Sequence, residues 1–423
     1  MARFFYSILF YLLIPFLLLR LWRRAKKASA YGERIPERFG FFNPPASTHK
    51  KVVWFHTVSV GEFIGAQPLI RWLLQRDDLE VVVTTMTPTG SAQVKASFGD
   101  RVFHVYAPYD TPTAVARFLR KVKPSLFITM ETELWPNTIA ACKARNIPCL
   151  LINARLSQKS LRGYQKFSAL TRPMVQSLSR VAVQNQDDAA RFEVMGLNSE
   201  QYQVTGNIKF DLTLTDEVRE RASAFRQMIN PDNRRKILIA ASTHAGEDEI
   251  ILSAFTRVKK RLPEAVLILV PRHPERFDAV FERCKETEMV VIRRSHHQDA
   301  SACDILLGDT MGELLMFYGA SNVAFVGGSL VANGGHNFIE AAVWGLPLLS
   351  GPHLFNFAEV SRLLQQADAL TLVEDADSLA QAVEDLLSDL DVAKAMGARA
   401  LGVAQSNRGA LLKTQTMIEA YLV

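Results

Sequence analysis

The sequence predicts an α/β protein with two doubly wound, Rossmann-like domains behind an N-terminal membrane-anchor helix. Short, continuously apolar segments alternate with segments of helical pattern, which is typical of parallel sheets covered by helices on both faces. A polar stretch at residues 213–234 interrupts this alternation, which then begins again. We therefore expect an anchor helix and basic flank at 1–30, a first domain at 31–212, a linker at 213–234 and a second domain at 235–423. The two domains are expected to face a cleft.

The first thirty residues carry the pattern of a membrane anchor. As a helix, the apolar run Phe4–Leu19 would be about 24–30 Å long, just enough to cross a bilayer core. Arg3 precedes the run, and a basic cluster follows it: Arg20, Arg23, Arg24, Lys26 and Lys27. By the positive-inside rule, this asymmetry places the body of the chain in the cytoplasm. A cleaved signal peptide is disfavoured because its basic residues precede the apolar core, whereas a shallow interfacial helix stays open.

The first domain is predicted to hold its functional groups beyond the C-terminal ends of parallel strands. These strands are predicted at Lys51–His56, Val81–Thr85, Val102–Tyr106, Leu126–Met130, Cys149–Asn153 and Val181–Gln184, with a last one from Val204. Glu62 opens the helix after the first strand, where it could simply complement the helix dipole. Glu131 and Glu133 follow the fourth strand, and one of them could cap the helix that contains Pro136.

Charge and cysteine usage narrow the class of protein. The formal net charge of +6 is modest and concentrated after the apolar run, which favours a membrane surface over nucleic acid as a partner. A second basic segment, Arg155–Lys166, is either a solvated helix face or a contact for anionic lipid headgroups. The 4 cysteines form no C-x-x-C pair and suit no zinc site, so we expect buried thiols in a reducing compartment.

The second domain repeats the α/β pattern. Its strands are predicted at Lys236–Ala241, Ala265–Val270, Val290–Arg293, Ile305–Leu307, Val323–Val326, Leu346–Leu349 and Ala369–Val373. Arg272 follows the second of these strands, where it could bind a phosphate or form a surface ion pair. Gly308–Leu314 forms another turn that opens a helix.

A glycine-rich stretch, Phe325–Glu340, follows a buried strand and leads into a helix. Its glycines allow the backbone to approach a ligand closely. Asn337 is predicted as an N-cap or first-turn residue, and the free N–H groups there could hold a phosphate. Glu340 lies three residues later on the same face, where its carboxylate could accept hydrogen bonds from the hydroxyls of a ribose.

Several function classes lack their motifs in this sequence. It contains no G-x-G-x-x-G after the first strand, no phosphate-binding G-x-x-x-x-G-K-[ST] loop and no G-x-S-x-G elbow. These gaps argue against a dinucleotide cofactor, an NTPase and an α/β-hydrolase. No D-x-D metal pair stands at a strand end, so we expect neither a metal nor a cofactor. Two such domains across a cleft suggest glycosyl transfer from a nucleotide sugar.

Six motifs in order resemble the 3-deoxy-D-manno-octulosonic acid (Kdo) transferases of lipopolysaccharide synthesis. They are Ser59–Glu62, Glu131–Asn137, Asn207–Asp211, Pro271–Arg276, Gly308–Glu313 and Gly334–Glu340. The resemblance covers essentially the whole chain. It implies the GT-B fold of glycosyltransferases and an inverting transfer from CMP-Kdo to a lipid A precursor (lipid IVA). The family acts at the cytoplasmic face of the inner membrane.

The resemblance also implies roles for individual residues. Glu62 would be the general base, and Glu131 with Lys209 would stabilise the transition state. The CMP pocket would be lined by Arg272, His273, Met311, Gly312, Glu313, Asn337, Phe338, Ile339 and Glu340. The chain departs from the family's His-Asn-Pro-x-Glu-Pro helix, because Phe338 and Ala341 stand where the family often has prolines.

Some alternatives stay open at the level of sequence. The second acid could be Glu131 or Glu133, and the number of Kdo residues transferred is not specified. The runner-up activity is another GT-B transferase that uses a UDP-sugar on a membrane lipid. A runner-up from a different class is a non-catalytic, membrane-anchored sensor of nucleotide sugars.

Overall fold

The chain folds into two compact units, each built on a parallel sheet. The computed structural model describes residues 1–26, 28–44, 49–296 and 299–422. One unit comprises Met1–Asp211 with Arg408–Val423, and the other comprises Leu212–Asn407. Within the described residues, each unit contains one sheet of seven strands. The predicted α/β class with two doubly wound domains is confirmed. Lys27, part of the predicted basic flank, lies outside the described residues.

The first sheet is buried on both faces. Its strands are β1 (Lys51–His56), β2 (Leu79–Thr85), β3 (Phe103–Tyr106), β4 (Leu126–Met130), β5 (Cys149–Ala154), β6 (Arg180–Val183) and β7 (Tyr202–Val204). They lie in the order β3-β2-β1-β4-β5-β6-β7, and every neighbouring pair is parallel. Val53 and Phe55 of β1 pack into the core on one face, whereas Trp54 packs into the core on the other. Burial on both faces explains why these strands are continuously apolar.

The second sheet is also parallel throughout. Its strands are β8 (Lys236–Thr243), β9 (Ala265–Pro271), β10 (Val291–Arg293), β11 (Ile305–Leu307), β12 (Val323–Val326), β13 (Leu348–Ser350) and β14 (Leu370–Leu372). They lie in the order β10-β11-β9-β8-β12-β13-β14. The strand order therefore reverses between β8 and β12, as it does between β1 and β4 in the first sheet.

Helices connect the strands of both sheets. In the described residues they are α1 (Ala2–Ala25), α2 (Val60–Leu73), α3 (Pro88–Phe98), α4 (Pro112–Val122), α5 (Pro136–Lys143), α6 (Gln158–Gln165), α7 (Ser168–Val175), α8 (Gln186–Met195), α9 (Asp216–Ile229), α10 (Asp248–Arg261), α11 (Phe277–Lys285), α12 (Leu314–Ala320), α13 (Ile339–Ala342), α14 (Ala358–Gln366), α15 (Ala376–Ser388), α16 (Leu390–Ser406) and α17 (Ala410–Glu419). The four cysteines are free and buried, as predicted.

The predicted domain limits need two corrections. The predicted linker at 213–234 contains α9, which belongs to the second unit. Its Phe225 packs on Phe317 of α12, with the ring centroids 5.1 Å apart. The chain end belongs to the first unit and not to the second, because Asp211 accepts the N–H groups of Gly409 and Leu411, both at 2.7 Å. Sequence periodicity could not show against which sheet either helix packs.

The N-terminal helix α1 has the length and composition that a membrane span needs. Its most apolar 18-residue window has a mean hydropathy of 2.1, and only 6% of that window is buried. It is the one helix in the described part of the chain that meets both conditions. The helix itself was predicted from sequence, whereas its depth in a bilayer and its sidedness stay predictions.

Candidate active site

In the first unit, the strand order reverses between β1 and β4, which end side by side. His56 of β1 is paired with Thr129 of β4. A doubly wound sheet opens a crevice at such a reversal, beyond the C-terminal strand ends. Glu62 follows β1, while Glu131 and Glu133 follow β4. The fold therefore brings Glu62 close to Glu131 and Glu133, which follow it by about seventy residues in the sequence.

Glu62 is half-buried in the first turn of α2, whose N-cap is Ser59. Its carboxylate accepts the N–H of Val58 and the hydroxyl of Ser59, both at 2.8 Å. Burial raises the pKa of Glu62 despite these bonds, and the charge of Glu131 raises it further. A carboxylate with a raised pKa is a better proton acceptor, so this position suits a general base. Glu62 also complements the α2 dipole, as the simpler sequence interpretation held.

Glu131 is the most enclosed of the three carboxylates and contacts two cations. It is 6% exposed, lies 2.7 Å from a guanidinium nitrogen of Arg155 and 3.2 Å from Nζ of Lys209. Burial raises the pKa of Glu131, but Lys209 and Arg155 outweigh burial and leave this pKa below its ordinary value. Its φ of +54° is a left-handed conformation that costs a non-glycine residue free energy. Glu131 is therefore a fixed anion that holds two cations, and it is poorly suited to accept a proton.

Lys209 is positioned by its own motif. It lies in the 3-10 turn Ile208–Asp211, just after the end of β7. The side chain of Asn153, at the end of β5, accepts the N–H of Ile208 at 3.1 Å. The side chain of Asn207 accepts the N–H of Lys209 at 3.0 Å. These two bonds fix the turn that presents the ammonium group to Glu131.

Glu133 is set apart from Glu131 by its environment. Burial, followed by the charge of Glu62, raises the pKa of Glu133 to about 7. One of its oxygens accepts the indole N–H of Trp135 at 3.1 Å. Sequence left open which of the two acids has the supporting role. Their surroundings distinguish the two acids. Glu131 is paired with two cations, whereas Glu133 has no such pairing among the described residues and its pKa is raised.

In the second unit, one buried carboxylate holds the glycine-rich loop. Glu247 has no exposed surface. One of its oxygens accepts the N–H groups of Ser329 and Leu330, both at 2.9 Å, and the other accepts those of Gly328 (2.7 Å) and His244 (2.8 Å). The loop amides that we expected to approach a ligand are therefore occupied by Glu247. Gly328 has a φ of +71°, and a Cβ there would lie 2.8 Å from the His336 ring, which explains the glycine.

Three histidines and an arginine surround the same strand ends. The rings of His244 and His336 stack with an interplanar angle of 6°, and their Nε2 atoms lie 2.8 Å apart. One ring donates and the other accepts, so at least one of the pair is neutral. Burial, and next the charge of Arg272, lowers the pKa of His336 to about 3. His273 packs edge-on against His244, with the centroids 5.2 Å apart.

Arg272 follows β9 as predicted and is half-buried. Its backbone N–H bonds to Thr243, while its guanidinium makes no hydrogen bond or ion pair with any described residue. The neighbouring Arg276 has a structural role instead, because it donates to the carbonyl of Thr243 at 2.7 Å and pairs with Asp248. Arg272 is therefore the cation of this motif that could bind an anion.

The predicted residues around Gly312 are only partly oriented for a ligand. Met311 is 65% exposed, and Gly312 has a φ of +81°. Glu313 is engaged within the unit, since its carboxylate lies 3.0 Å from Arg294 and 3.5 Å from Arg221. The assignment of these three residues to a CMP pocket stays a prediction.

The helix after the glycine-rich loop is short and starts after the predicted cap position. It comprises Ile339–Ala342, with Phe338 at the N-cap position, so Asn337 is not the cap and four residues offer no extended helix start for a phosphate. Asn337 instead accepts the N–H of Ile339 at 3.2 Å and donates to Glu340 at 3.0 Å. Phe338 and Ile339 are 0% and 1% exposed, so only their backbone could line a pocket. Asn337 and Glu340 are half-buried and keep their predicted common face.

Sequence reasoning missed several residues that shape these two sites. Glu247 and His244 were not singled out, and Arg155 was named only in a basic segment. His336 lay within the glycine-rich stretch but received no role. Apart from the bond between His244 and Glu247, their contacts join residues that are 24 to 92 positions apart, so local spacing could not have revealed them. In the residues searched, no group of three or more His, Cys, Asp or Glu could hold a metal ion; the predicted independence from metals and cofactors is not tested by this.

Comparison with known proteins identifies the family of this chain. The family model described as 3-deoxy-D-manno-octulosonic-acid transferase (kdotransferase) matches residues 33–212. A 3-deoxy-D-manno-octulosonic acid transferase of Haemophilus influenzae is 41% identical over 100% of this chain and 99% of its own length. One from Bordetella pertussis is 35% identical over 97% of both chains. A co-structure of S. aureus MnaA with UDP has a TM-score of 0.60 at 15% identity, covers 88% of this chain and 97% of that one, and shows a shared fold alone. This chain belongs to the 3-deoxy-D-manno-octulosonic acid transferase family.

Proposed function

We propose that this chain is an inverting glycosyltransferase that moves Kdo from CMP-Kdo onto a lipid A precursor, lipid IVA, in lipopolysaccharide biosynthesis. Membership of the family supports the reaction class, and the two strand-end clusters supply groups suited to each part of it. We place the reaction at the cytoplasmic face of the inner membrane. No metal or other cofactor takes part in the proposed mechanism.

Glu62 acts as the general base. A hydroxyl oxygen of the lipid acceptor attacks the anomeric carbon of Kdo, and its proton passes to the Glu62 carboxylate. The bond between the anomeric carbon and the CMP phosphate oxygen breaks on the opposite face, and CMP leaves with the electron pair. The raised pKa of Glu62 favours this transfer. Its bonds to Val58 and Ser59 hold the carboxylate in one orientation before the acceptor binds.

Lys209, held by Glu131, stabilises negative charge at the reacting centre. Kdo carries a carboxylate beside the anomeric carbon, and the departing phosphate gains charge in the transition state. The fixed Glu131 carboxylate orients the ammonium of Lys209 and the guanidinium of Arg155. Cations fixed before the reaction cost little reorganisation during it, which is the usual source of electrostatic catalysis.

The second unit binds the nucleotide. Arg272 supplies the cation for the CMP phosphate, beside imidazoles that burial keeps neutral. Asn337 and Glu340 present an amide and a carboxylate to the ribose or the base. His273, Met311, Gly312 and Glu313 complete the predicted pocket, with Phe338 and Ile339 contributing only backbone.

The observation that carries the proposal is the cluster of Glu62, Glu131 and Lys209, which lies where the strand order reverses between β1 and β4. Lys209 forms an ion pair with Glu131, and the charge of Glu131 raises the pKa of Glu62 beside it, which supports the roles that the resemblance implies. A non-catalytic sensor of nucleotide sugars would need no raised-pKa carboxylate beside a fixed ion pair.

Mass spectrometry of the lipid product tests the donor, the acceptor and the number of transfers together. The full-length chain is incubated with CMP-Kdo and a tetra-acylated lipid A precursor. Addition of one or more Kdo masses to the lipid is the expected result. The absence of any Kdo-containing lipid from the native protein would overturn the proposal. Calorimetric titration with CMP and UDP separates the runner-up enzyme, because binding of UDP without CMP contradicts the proposed donor.

A further inference from the structure

Helix α1 is attached to the folded first unit along one of its faces. Three polar side chains in its first half make hydrogen bonds with loops and helix starts of that unit: Tyr6 with Asp110 (3.0 Å), Ser7 with Asn137 (3.2 Å) and Tyr11 with Thr113 (2.8 Å). The ring of Phe10 packs on that of Tyr109, with the centroids 6.3 Å apart. Polar contacts of this kind are unusual for a segment that only tethers a domain to a membrane.

Asp110 is a buried carboxylate that accepts a hydrogen bond from this helix. It is 2% exposed and accepts the N–H groups of Asn137 (2.9 Å) and Thr138 (2.8 Å) and the hydroxyl of Thr138 (2.7 Å). The hydroxyl of Tyr6 completes this set. Burial raises the pKa of Asp110, and each donor opposes that effect. A buried carboxylate needs such donors, so removal of α1 would leave Asp110 short of one.

The opposite face of α1 is strongly apolar and uncovered. Phe4 and Phe5 are 65% and 64% exposed, and Leu12 and Phe16 are 65% and 68% exposed. Water would be an unfavourable neighbour for a row of this length, whereas a lipid acyl region is a favourable one.

Docking on the first unit and full membrane spanning exclude each other. Tyr6 and Arg24 are separated by about 27 Å along the helix axis, close to the ~30 Å thickness of a hydrocarbon core. If α1 spanned with its basic end in the cytoplasm, Tyr6 and Ser7 would lie near the far side. Asp110 and Asn137 belong to the folded body and could not follow them through the bilayer.

Exposed cations lie on α6, next to the helix that packs against α1. Helix α7 packs against α1, and α6 precedes α7. Between Glu133 and Asp187 the sequence has no acidic residue. On α6 and the turn after it, the exposed cations are Lys159, Arg162 and Lys166, followed by Phe167, which is 67% exposed. An aromatic side chain beside exposed cations fits an anionic lipid surface.

We propose that α1 is monotopic: it lies in the plane of the membrane, with its apolar face in lipid and its polar face docked on the first unit. Phe167 and the cations of α6 complete the contact with anionic headgroups. This inference rests on the membrane location proposed above but not on the reaction. It selects the interfacial alternative over the spanning one.

The arrangement brings the lipid surface to the catalytic edge. Asp110 follows β3 and Asn137 follows β4, so α1 crosses the sheet edge that carries Glu62 and Glu133. Phe10 of α1 and Trp135, the partner of Glu133, line the same cavity. An acceptor headgroup could then reach the base while its acyl chains stay in the bilayer.

Labelling with a membrane-impermeant maleimide tests the topology in the full-length chain. Ala2→Cys reports the start of α1, and Ser388→Cys, exposed at the end of α15, reports the body. We expect both to be labelled in inverted vesicles and neither in intact spheroplasts. Labelling of A2C in spheroplasts but not in inverted vesicles would overturn the proposal. The native chain is the control, because its four cysteines are buried and become reactive only if a variant unfolds.

Cross-linking tests the docked contact itself. A variant with Ser7→Cys and Asn137→Cys should form a disulfide on oxidation in membranes, since the native side chains lie 3.2 Å apart. Phe5→Cys with Asn137→Cys is the matched control, because Phe5 is on the exposed face and should not react. Equal cross-linking of both pairs, or of neither, contradicts docking. Product formation by the native chain is measured separately, so a failed topology and a failed reaction give different results.

Discussion

The C-terminal strand ends of the two sheets carry different chemical groups on the same fold. We call the strand ends of the first unit the first edge and those of the second unit the second edge. Both place their functional residues where the strand order reverses, at β1–β4 in the first unit and at β8–β12 in the second. The first edge sets carboxylates beside one another and beside Lys209, so its charges interact strongly. The second edge uses its carboxylate, Glu247, to hold backbone amides and presents neutral imidazoles and a cation. We propose that the side chains at the strand ends, and not the fold, decide which edge handles protons and which binds the nucleotide.

The largest expected effect comes from removing the proposed base. Glu62→Gln keeps one oxygen to accept the N–H of Val58, and the Ser59 hydroxyl can turn to accept from the new amide, but the side chain cannot take a proton. We expect the transfer rate to fall by about 10²–10⁴-fold, the usual contribution of a general base, while calorimetric CMP affinity stays the same. Glu200→Gln, an exposed change in the same unit, is the control. If E62Q lost CMP binding together with activity, the division of labour between the edges would be wrong.

The next effect tests whether Glu247 holds the glycine-rich loop through its four backbone hydrogen bonds. In Glu247→Gln, an amide group replaces one oxygen, so two backbone N–H groups of the four would face a donor. Each unsatisfied buried group costs about 1–3 kcal/mol, so the second unit should melt earlier and bind CMP more weakly. Differential scanning calorimetry and CMP titration measure both.

A control for this contact is available two residues away. Glu249 is exposed in the first turn of α10 and makes only a surface ion pair with Arg283, so Glu249→Gln should change either quantity little. An unaltered melting temperature in E247Q would show that Glu247 does not hold the loop.

A smaller effect distinguishes binding from catalysis at Glu340. Glu340→Gln removes the charge but keeps an oxygen for Asn337. We expect donor affinity to fall by about ten-fold, the loss of one charge-assisted hydrogen bond, with little change in the rate at saturating donor. Glu374→Gln is an exposed control. Unchanged affinity with abolished turnover would make Glu340 a catalytic residue and weaken the contrast between the edges.

Sequence predicted the parts of the molecule that depend on local pattern. Continuous apolar strands, strand-end motifs and the N-terminal helix all followed from periodicity and composition. What sequence could not supply was the pairing of distant groups. The start of α13 differs from the prediction because Asn337 bonds to Glu340 and Ile339, and Phe338 takes the N-cap position. The placement of α17 depended on Asp211, about two hundred residues earlier.

The smallest effect concerns Glu133 and depends on pH. Its pKa is raised to about 7, above the ordinary 4.5 that it would have in the unfolded chain. The folded state therefore holds a proton that the unfolded state has lost, and stability falls as the pH rises from about 4.5 to about 7. Glu133→Gln keeps the acceptor for Trp135 and removes this loss. We expect it to stabilise the first unit by on the order of 2 kcal/mol above pH 7 and by much less near pH 4.5.

The same pH dependence tests the coupling between the two acids, because the charge of Glu62 helps to raise the pKa of Glu133. Without the charge of Glu62, Glu133 should lose its proton at a lower pH. The loss of stability should then move to lower pH in Glu62→Gln, whereas Glu200→Gln should leave it unchanged. An unmoved pH range in E62Q together with a pH-independent stability change in E133Q would show that Glu133 is only a packed side chain, and the first edge would then reduce to Glu62 and the Glu131–Lys209 pair.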